Sequence, residues 1–495
     1  MLSQGSRCDG AASRGGDRRF CWLAFAGCAL VLSAFGLLRV HWSILDGYDL
    51  GIFDQAVWHY AHFQAPIVTL KGDGFNIWGD HFHPIIAAWA PLYWIWDDVR
   101  MLIIGQALVV AAAVFPVHHF LARRLDAWVR VLTVLAVVGW PVLTLAAYDV
   151  HEIAFAVPLL AWAVDALDRR RDVQVAVACA LLLLVREDMG ALVFMIGLVR
   201  VAWAPGRAPG EHRTRRDAVM GAALMVVGLA VFALVTTVVI PHFAAQGYQY
   251  WDYPQLGSGP KGALLGVLKA PWHAIGLLFW PPMKLGTWAL LLVPLALLPL
   301  RSPYALIGLP IMLERMLSAR ESLWTPMYQY NAPVWIVVVL AGVAGYGSLS
   351  PRWKQRLAPR RLVLLVVAVV LDVGVAVALL VNAGQLARGG DDRAAAAAWV
   401  PADTCVLTDN RMAAAFTHTN RVSVPGFTQH RQDFVVLDWA PLQTAPLPGG
   451  LDTAAVSRQI VADGFHQVAR FGDVAIWQAP DYAGPDASAC GPAAS

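Results

Sequence analysis

Charge is scarce in this sequence. Lys, Arg, Asp and Glu make up 14% of 495 residues, against roughly 25% in an average soluble domain. With 58% of the residues hydrophobic, the chain cannot hide its apolar surface in one aqueous core, which excludes a single soluble globule. A strong charge of one sign is missing too. The formal net charge is +3 and the arginines stand in short clusters, so the basic footprint of a nucleic-acid binder is absent. Cysteine is sparse, six residues with no CxxC pair, and no zinc or dithiol site is indicated. Cys21, Cys28 and Cys179 fall in apolar runs, where a thiol acts as a small hydrophobe. Cys405 and Cys490 lie in a polar region and are open to a disulfide or to two free thiols. No internal repeat is visible, nor the paired broken helices of many transporters.

Long apolar runs are what the chain has instead, among them "AVMGAALMVVGLAVFALVTTVVI" from Ala218 and "LVLLVVAVVLDVGVAVALL" from Leu362. About 20 such residues span a bilayer as a helix, so this is a polytopic membrane protein. The run from Phe20 to Val40 ends without a small-residue cleavage site and reads as a first transmembrane helix, not a signal peptide. Basic clusters at Arg18–Arg19, Arg123–Arg124, Arg169–Arg171, Arg207–Arg216, Arg301 and Arg352–Arg361 belong in the cytoplasm by the positive-inside rule. Crossings then fall near 20–40, 101–122, 128–148, 153–168, two within 173–203, and 218–240, 284–300, 303–317, 327–347 and 362–384. That is about eleven, in the cell membrane, with residues 1–19 as a cytoplasmic tail and the C-terminus outside. The two apolar parts flanking "REDMG" are short, about 13 residues or 20 Å each, which places Arg186, Glu187 and Asp188 at an outward-facing aqueous cavity. The outer stretch 241–282, rich in Trp, Tyr and Pro, suits an element lying in the interface.

From about Gln385 the composition becomes that of a soluble domain. "TCVLTDN" and "DFVVLDW" read as buried strands, "TAAVSRQIVADGF" as an amphipathic helix, and "QVARFGDVAIWQ" as a hairpin turning at Gly472–Asp473. A small α/β domain over 385–480 follows, outside the membrane, and the Pro- and Gly-rich tail 481–495 is expected to be disordered.

The outer face gathers most of the unusual polar groups: "YDLGIFDQ", "GDHFHP", "YDVHE", "REDMG" and "YQYNAP". Any one could merely end a helix at the interface, but ionisable groups shared by one cavity at the membrane point to function. Asp49 and Asp54 lie five apart, roughly 140° around a helix, and so differ in role. Asp54 suits the first turn of a helix beginning near Gly51, while Asp49 is free to face the cavity. Asp80, His81 and His83 carry donors that suit a divalent ion, although an i, i+2 pair of histidines specifies none. The sequence requires no cofactor.

The arrangement of "YDLGIFDQ" after helix 1, then "HFHPIIAAWAPLYWIW" leading into "VRMLIIGQAL", resembles the first outer loop of membrane glycosyltransferases of the GT-C fold, of the protein O-mannosyltransferase and aminoarabinose transferase types. The set "YDLGIFDQ … HFHP … YDVHE … REDMG" looks closer still to a family of polytopic membrane proteins, domain of unknown function 2079, grouped with that fold. The likeness covers about residues 20–385. Here Asp49 is followed by Leu50 where the mannosyltransferases carry Glu, and histidines replace a Lys-Pro-Pro segment.

The resemblance implies a mainly α, GT-C-like transmembrane domain and transfer of a sugar, with inversion, from a polyprenyl-phosphate donor to a glycan, lipid or protein acceptor outside the membrane. It makes Asp49 the base, with Asp149 or Glu152 orienting the acceptor. Arg186 would take the lipid phosphate, because guanidinium pairs with phosphate through two parallel hydrogen bonds. Asp54, Asp80, His81, His83, His151, Glu187 and Asp188 would line the substrate cavity, and Tyr328, Tyr330 and Asn331 the sugar or prenyl groove. The competing reading is a transporter or a non-catalytic scaffold whose charges hold helices together.

Overall fold

The computed structural model describes residues 6–126, 128–207, 211–244, 251–425, 431–439 and 453–490. Six helices are long and apolar enough to cross a membrane: Gly16–His41, Arg100–Ala122, Val129–Tyr148, Arg215–Phe243, Gln329–Gly347 and Leu362–Gln385. Shorter helices stand at the other expected crossings, Ala156–Asp168, Asp172–Leu182, Met189–Trp203, Pro282–Leu292 and Leu309–Leu317. The chain is thus mainly α, with a helix count close to the reading from sequence. Two boundaries differ. The first helix begins at Ser6, so most of the expected tail is helical. The segment expected over 284–300 is helical only to Leu292 and pairs with Pro271–Leu277 at a 68° bend; Pro281 and Pro282 lack amide donors and separate the two helices.

Small residues let the helices approach where side chains would keep them apart. Gly190 and Gly197 on one helix face Gly228 and Gly221 on the next. A Cβ on Gly197 would lie 2.4 Å from the Gly221 carbonyl oxygen, and one on Gly228 would lie 2.5 Å from that of Gly190. Backbone contact of this kind substitutes for a hydrophobic drive that lipid does not supply.

The arginine clusters collect at one end of the bundle. Asp217 is fully buried there and receives Arg170 Nη2 at 2.5 Å, Arg200 Nε at 2.9 Å and Arg207 Nη2 at 2.6 Å. Arg123 and Arg124 both reach Asp168. Lone buried carboxylates are costly, and Asp217 and Asp168 are each matched by more than one guanidinium group. The other end carries the 41–100 loop, the turns at 149–152 and 183–188, and the C-terminal domain.

That domain is a five-stranded sheet in the order β2-β1-β3-β5-β4. β1 (Cys405–Thr408) runs parallel to β2 (Arg421–Ser423) and β3 (Phe434–Asp438), while β5 (Val474–Gln478) is antiparallel to β3 and to β4 (His466–Phe471). Four strands and the Thr453–Ala462 helix fall on the segments read from sequence. β2, only three residues, is too short for a period-2 signal. The tail expected to be disordered is placed as far as Cys490, which is buried and bonded to Cys405 on β1; that tie is what local composition could not convey, and residues 491–495 lie outside the described residues. Val406, Val422, Phe434 and Ile476 share one apolar core with Leu50, Phe53 and Ile77 of the 41–100 loop, so the sheet is docked on that loop.

Candidate functional site

Asp49 sits in an irregular turn between the first helix and the helix Ile52–Ala61. Its φ of 61° and ψ of −78° approach the centre of a γ-turn of the rare, strained kind, which a non-glycine residue adopts only when its surroundings impose it. Among the described residues no hydrogen bond or ion pair holds its carboxylate, which is half-buried. Burial nonetheless pushes its pKa up; His151 opposes this, and Glu152 and Asp46 add to it. The carboxylate is therefore unpaired, desolvated and kept at the edge of a polar cluster.

That cluster joins three separate segments. His151 Nδ1 lies 2.6 Å from Glu152 Oε2, and the other carboxylate oxygen lies 3.3 Å from Arg186 Nη1. Arg186 grips Asp188 with a fork, Nε to Oδ1 at 2.9 Å and Nη2 to Oδ2 at 2.5 Å. The partners of Arg186 are thus Asp188 and Glu152. Glu187 turns instead to His81, whose Nδ1 lies 2.6 Å from Oε1, and accepts the Phe82 amide at 3.2 Å. Burial alone would depress His81, but the Glu187 carboxylate outweighs it and lifts the pKa to about 9. For Glu152 burial acts upward, yet His151 and Arg186 hold it below the usual carboxylate range. His83 is buried without such a partner, which brings it down to about 4; it packs against Phe53 with ring centroids 5.3 Å apart.

The other candidates divide. Tyr330 faces His151, ring centroids 5.8 Å apart, and so borders the cluster. Tyr328 meets Tyr148 edge to face, ring centroids 4.8 Å apart. Asn331 is buried, its Oδ1 taken by Arg315 Nη2 at 3.0 Å while its Nδ2 has no hydrogen-bond partner among the described residues. Asp149 is directed at Arg39, 3.4 Å from Oδ2 to Nη1, and its backbone carbonyl accepts Gln106 Nε2 at 3.1 Å. Asp80 pairs with Lys71 at 2.8 Å. Among the described residues the groups close enough to share one ion are Cys405, Asp433 and Cys490, two of them bonded to each other, so Asp80, His81 and His83 do not converge as a metal site.

Asp54 does not face the cluster at all. It is fully buried and accepts hydrogen bonds from Tyr93 and Thr417, with His418 Nε2 2.9 Å from Oδ1. His418 Nδ1 in turn lies 3.1 Å from Asp97. Asp54 is thus the tie between the loop helix and the C-terminal domain, a use that the "YDLGIFDQ" motif alone does not reveal because its partners in that domain, Thr417 and His418, lie more than 360 residues away. Arg39, Lys71, Arg315 and His418 were not singled out from sequence. Only Arg315 left a local signal there, as half of a charged pair in the apolar "LPIMLERML".

The family model of DUF2079, described as predicted membrane protein, matches residues 40–446. Among solved structures, ArnT from Cupriavidus metallidurans bound to undecaprenyl phosphate is similar at 13% identity, over 94% of this chain and 99% of that one, with a TM-score of 0.50. The apo state of the same protein gives 14% identity, 97% and 100% coverage and a TM-score of 0.50. The archaeal oligosaccharyltransferase AglB from Archaeoglobus fulgidus, in complex with an inhibitory peptide and a dolichol-phosphate, has 13% identity over 85% and 70% of the chains and a TM-score of 0.38. No curated protein matches the sequence. The likeness to ArnT is one of fold, and the fold is GT-C-like.

Proposed function

Because the chain belongs to the DUF2079 family of predicted membrane proteins and has a GT-C-like fold, we propose that it is a membrane glycosyltransferase. It moves a sugar from a polyprenyl-phosphate donor to an acceptor outside the membrane, with inversion. The observation that carries this reading is the unpaired, desolvated Asp49 carboxylate in a strained turn beside the His151, Glu152 and Arg186 cluster. A scaffold would have no use for strain at an unpaired acid, whereas an active site stores strain in this way.

In the proposed step the acceptor hydroxyl oxygen attacks the anomeric carbon and its proton passes to the Asp49 carboxylate. The bond from the anomeric carbon to the phosphate oxygen breaks, and the electron pair leaves with the lipid phosphate. Glu152 or Asp149 orients the acceptor. Arg186 exchanges part of its hold on Asp188 and Glu152 for the phosphate, so the buried guanidinium is never unpaired. Tyr330 borders the sugar. The arginine-rich end then faces the cytoplasm and the outer domain the far side of the membrane. ArnT was crystallised with undecaprenyl phosphate, so that lipid is the natural first probe. Native mass spectrometry of the purified protein should detect its binding, weakened in Arg186→Lys, which keeps the charge and loses the fork. Wild-type protein that holds no polyprenyl phosphate would rule out the donor class.

A further inference from the structure

The strained turn is gripped from outside the membrane domain. Asn410, in the loop that leaves β1 of the outer domain, receives the Tyr48 amide on Oδ1 at 2.8 Å and the Gly47 amide on its backbone carbonyl at 2.6 Å. The contact continues on both sides. The Leu45 amide donates to the Arg411 carbonyl at 2.8 Å, and the Ala414 amide to the Leu45 carbonyl at 2.9 Å. Thr69 Oγ1 donates to the Val422 carbonyl at 2.8 Å. The fit leaves no slack, since a Cβ on Gly47 would lie 2.6 Å from that of Ala413. Beyond Asp49 the chain is fixed by the Ile52 amide, which donates back to the Asp49 and Gly47 carbonyls. The turn that carries Asp49 is therefore anchored on both sides, and one anchor belongs to the outer domain.

We infer that Asn410 is a positioning residue: through its hydrogen bonds to Gly47 and Tyr48, the outer domain imposes the turn that aims the Asp49 carboxylate into the polar cluster. Removing the domain would release the carboxylate, so the domain is part of the site's architecture in addition to any acceptor it binds. The inference rests on the reading of Asp49 as the site's carboxylate. Without the clamp the turn relaxes into water, and the desolvation imposed on Asp49 is lost. The titratable and charged groups around Asp49 are His151, Glu152, Lys71, Asp46, Asp149 and Tyr330, and none of them is altered by a change at Asn410.

The test uses the full-length protein in detergent and follows labelling of Asp49 by dicyclohexylcarbodiimide, which attacks the protonated carboxyl, with mass spectrometry giving the pH of half-maximal labelling. Asn410→Leu removes the Oδ1 acceptor of the Tyr48 amide at similar size, leaving the backbone bond to Gly47, and should move that midpoint down towards the ordinary carboxylate range. Asn410→Asp keeps the acceptor and adds a nearby negative charge, so its midpoint should stay or rise. A folded Asn410→Leu protein with an unmoved midpoint overturns the inference. If Asn410→Leu does not fold, Asn410→Ser, too short to reach Tyr48, decides by the same criterion. The readout needs no sugar donor: an unmoved midpoint alongside an inactive Asp49→Asn would sink the clamp and leave the catalytic reading, and a moved midpoint alongside a fully active Asp49→Asn would do the reverse.

Discussion

Two aspartates five residues apart have opposite surroundings, and substitution should separate them. Asp49→Asn keeps shape and removes the basic oxygen, so turnover should fall by about 100-fold or more, as for a positioned base, with expression and donor binding retained. Asp54→Asn weakens the acceptor of Tyr93, Thr417 and His418 and should cost about 1–3 kcal/mol of stability, read as a lower melting temperature. Asp49 should also set the acid limb of the activity. Burial raises its pKa, a base works only when deprotonated, and activity should fall as pH drops through a value above the ordinary carboxylate range. An acid limb at the ordinary Asp value would contradict this. His81 gives the mirror case for stability. Its pKa in the folded protein, about 9, lies above that of the unfolded chain, so the His81–Glu187 pair stabilises fully below the unfolded value and is lost as pH rises through the folded one. At neutral pH His81→Gln should cost about 1.5–3 kcal/mol, as for a hydrogen bond between charged groups. By about pH 10 the difference from wild type should vanish.

At the scale of elements, the sequence spelled out what is periodic and local. The apolar runs located the spans, short buried runs located β1 and β3, and the hairpin signal located β4 and β5, each to within a residue or two. Irregular turns were legible only as clusters of polar letters. That "YDVHE" and "REDMG" meet through Glu152 and Arg186 could be expected from a shared outer face, but that Glu187 would choose His81 and Asp188 would choose Arg186 depends on side-chain directions at the ends of two short helices. Asp54 and Asn410 were out of reach, since their partners are fixed by the docking of a domain and no local period encodes that. The glycine crossing is testable by itself. Gly228→Val would drive a branched side chain into the Gly190 backbone and should cost about 1–3 kcal/mol or prevent assembly, as overpacking does, whereas Gly374→Val, with nothing within 4 Å, should be tolerated.

Over the whole molecule, one end of the bundle is held together by arginine–aspartate pairs and the other brings Asp49, unpaired and in a strained turn, to the foot of the C-terminal domain. This asymmetry fits an orientation with the arginine-rich end in the cytoplasm. Cysteines placed at Ala65 and Asp473, both exposed, should label with an impermeant thiol reagent in intact cells, and one at His212 should not. Labelling at His212 alone would invert the account. The central claim, that Asp49 transfers sugar from a polyprenyl phosphate, is tested most directly by mass spectrometry of the lipid-linked sugars in cells carrying wild-type protein, no protein, or Asp49→Asn at equal abundance. Cells carrying Asp49→Asn should accumulate the same polyprenyl-phosphate sugar as the deletion. If Asp49→Asn matches wild type while the deletion does not, or if no polyprenyl-linked species changes in either strain, the claim is contradicted.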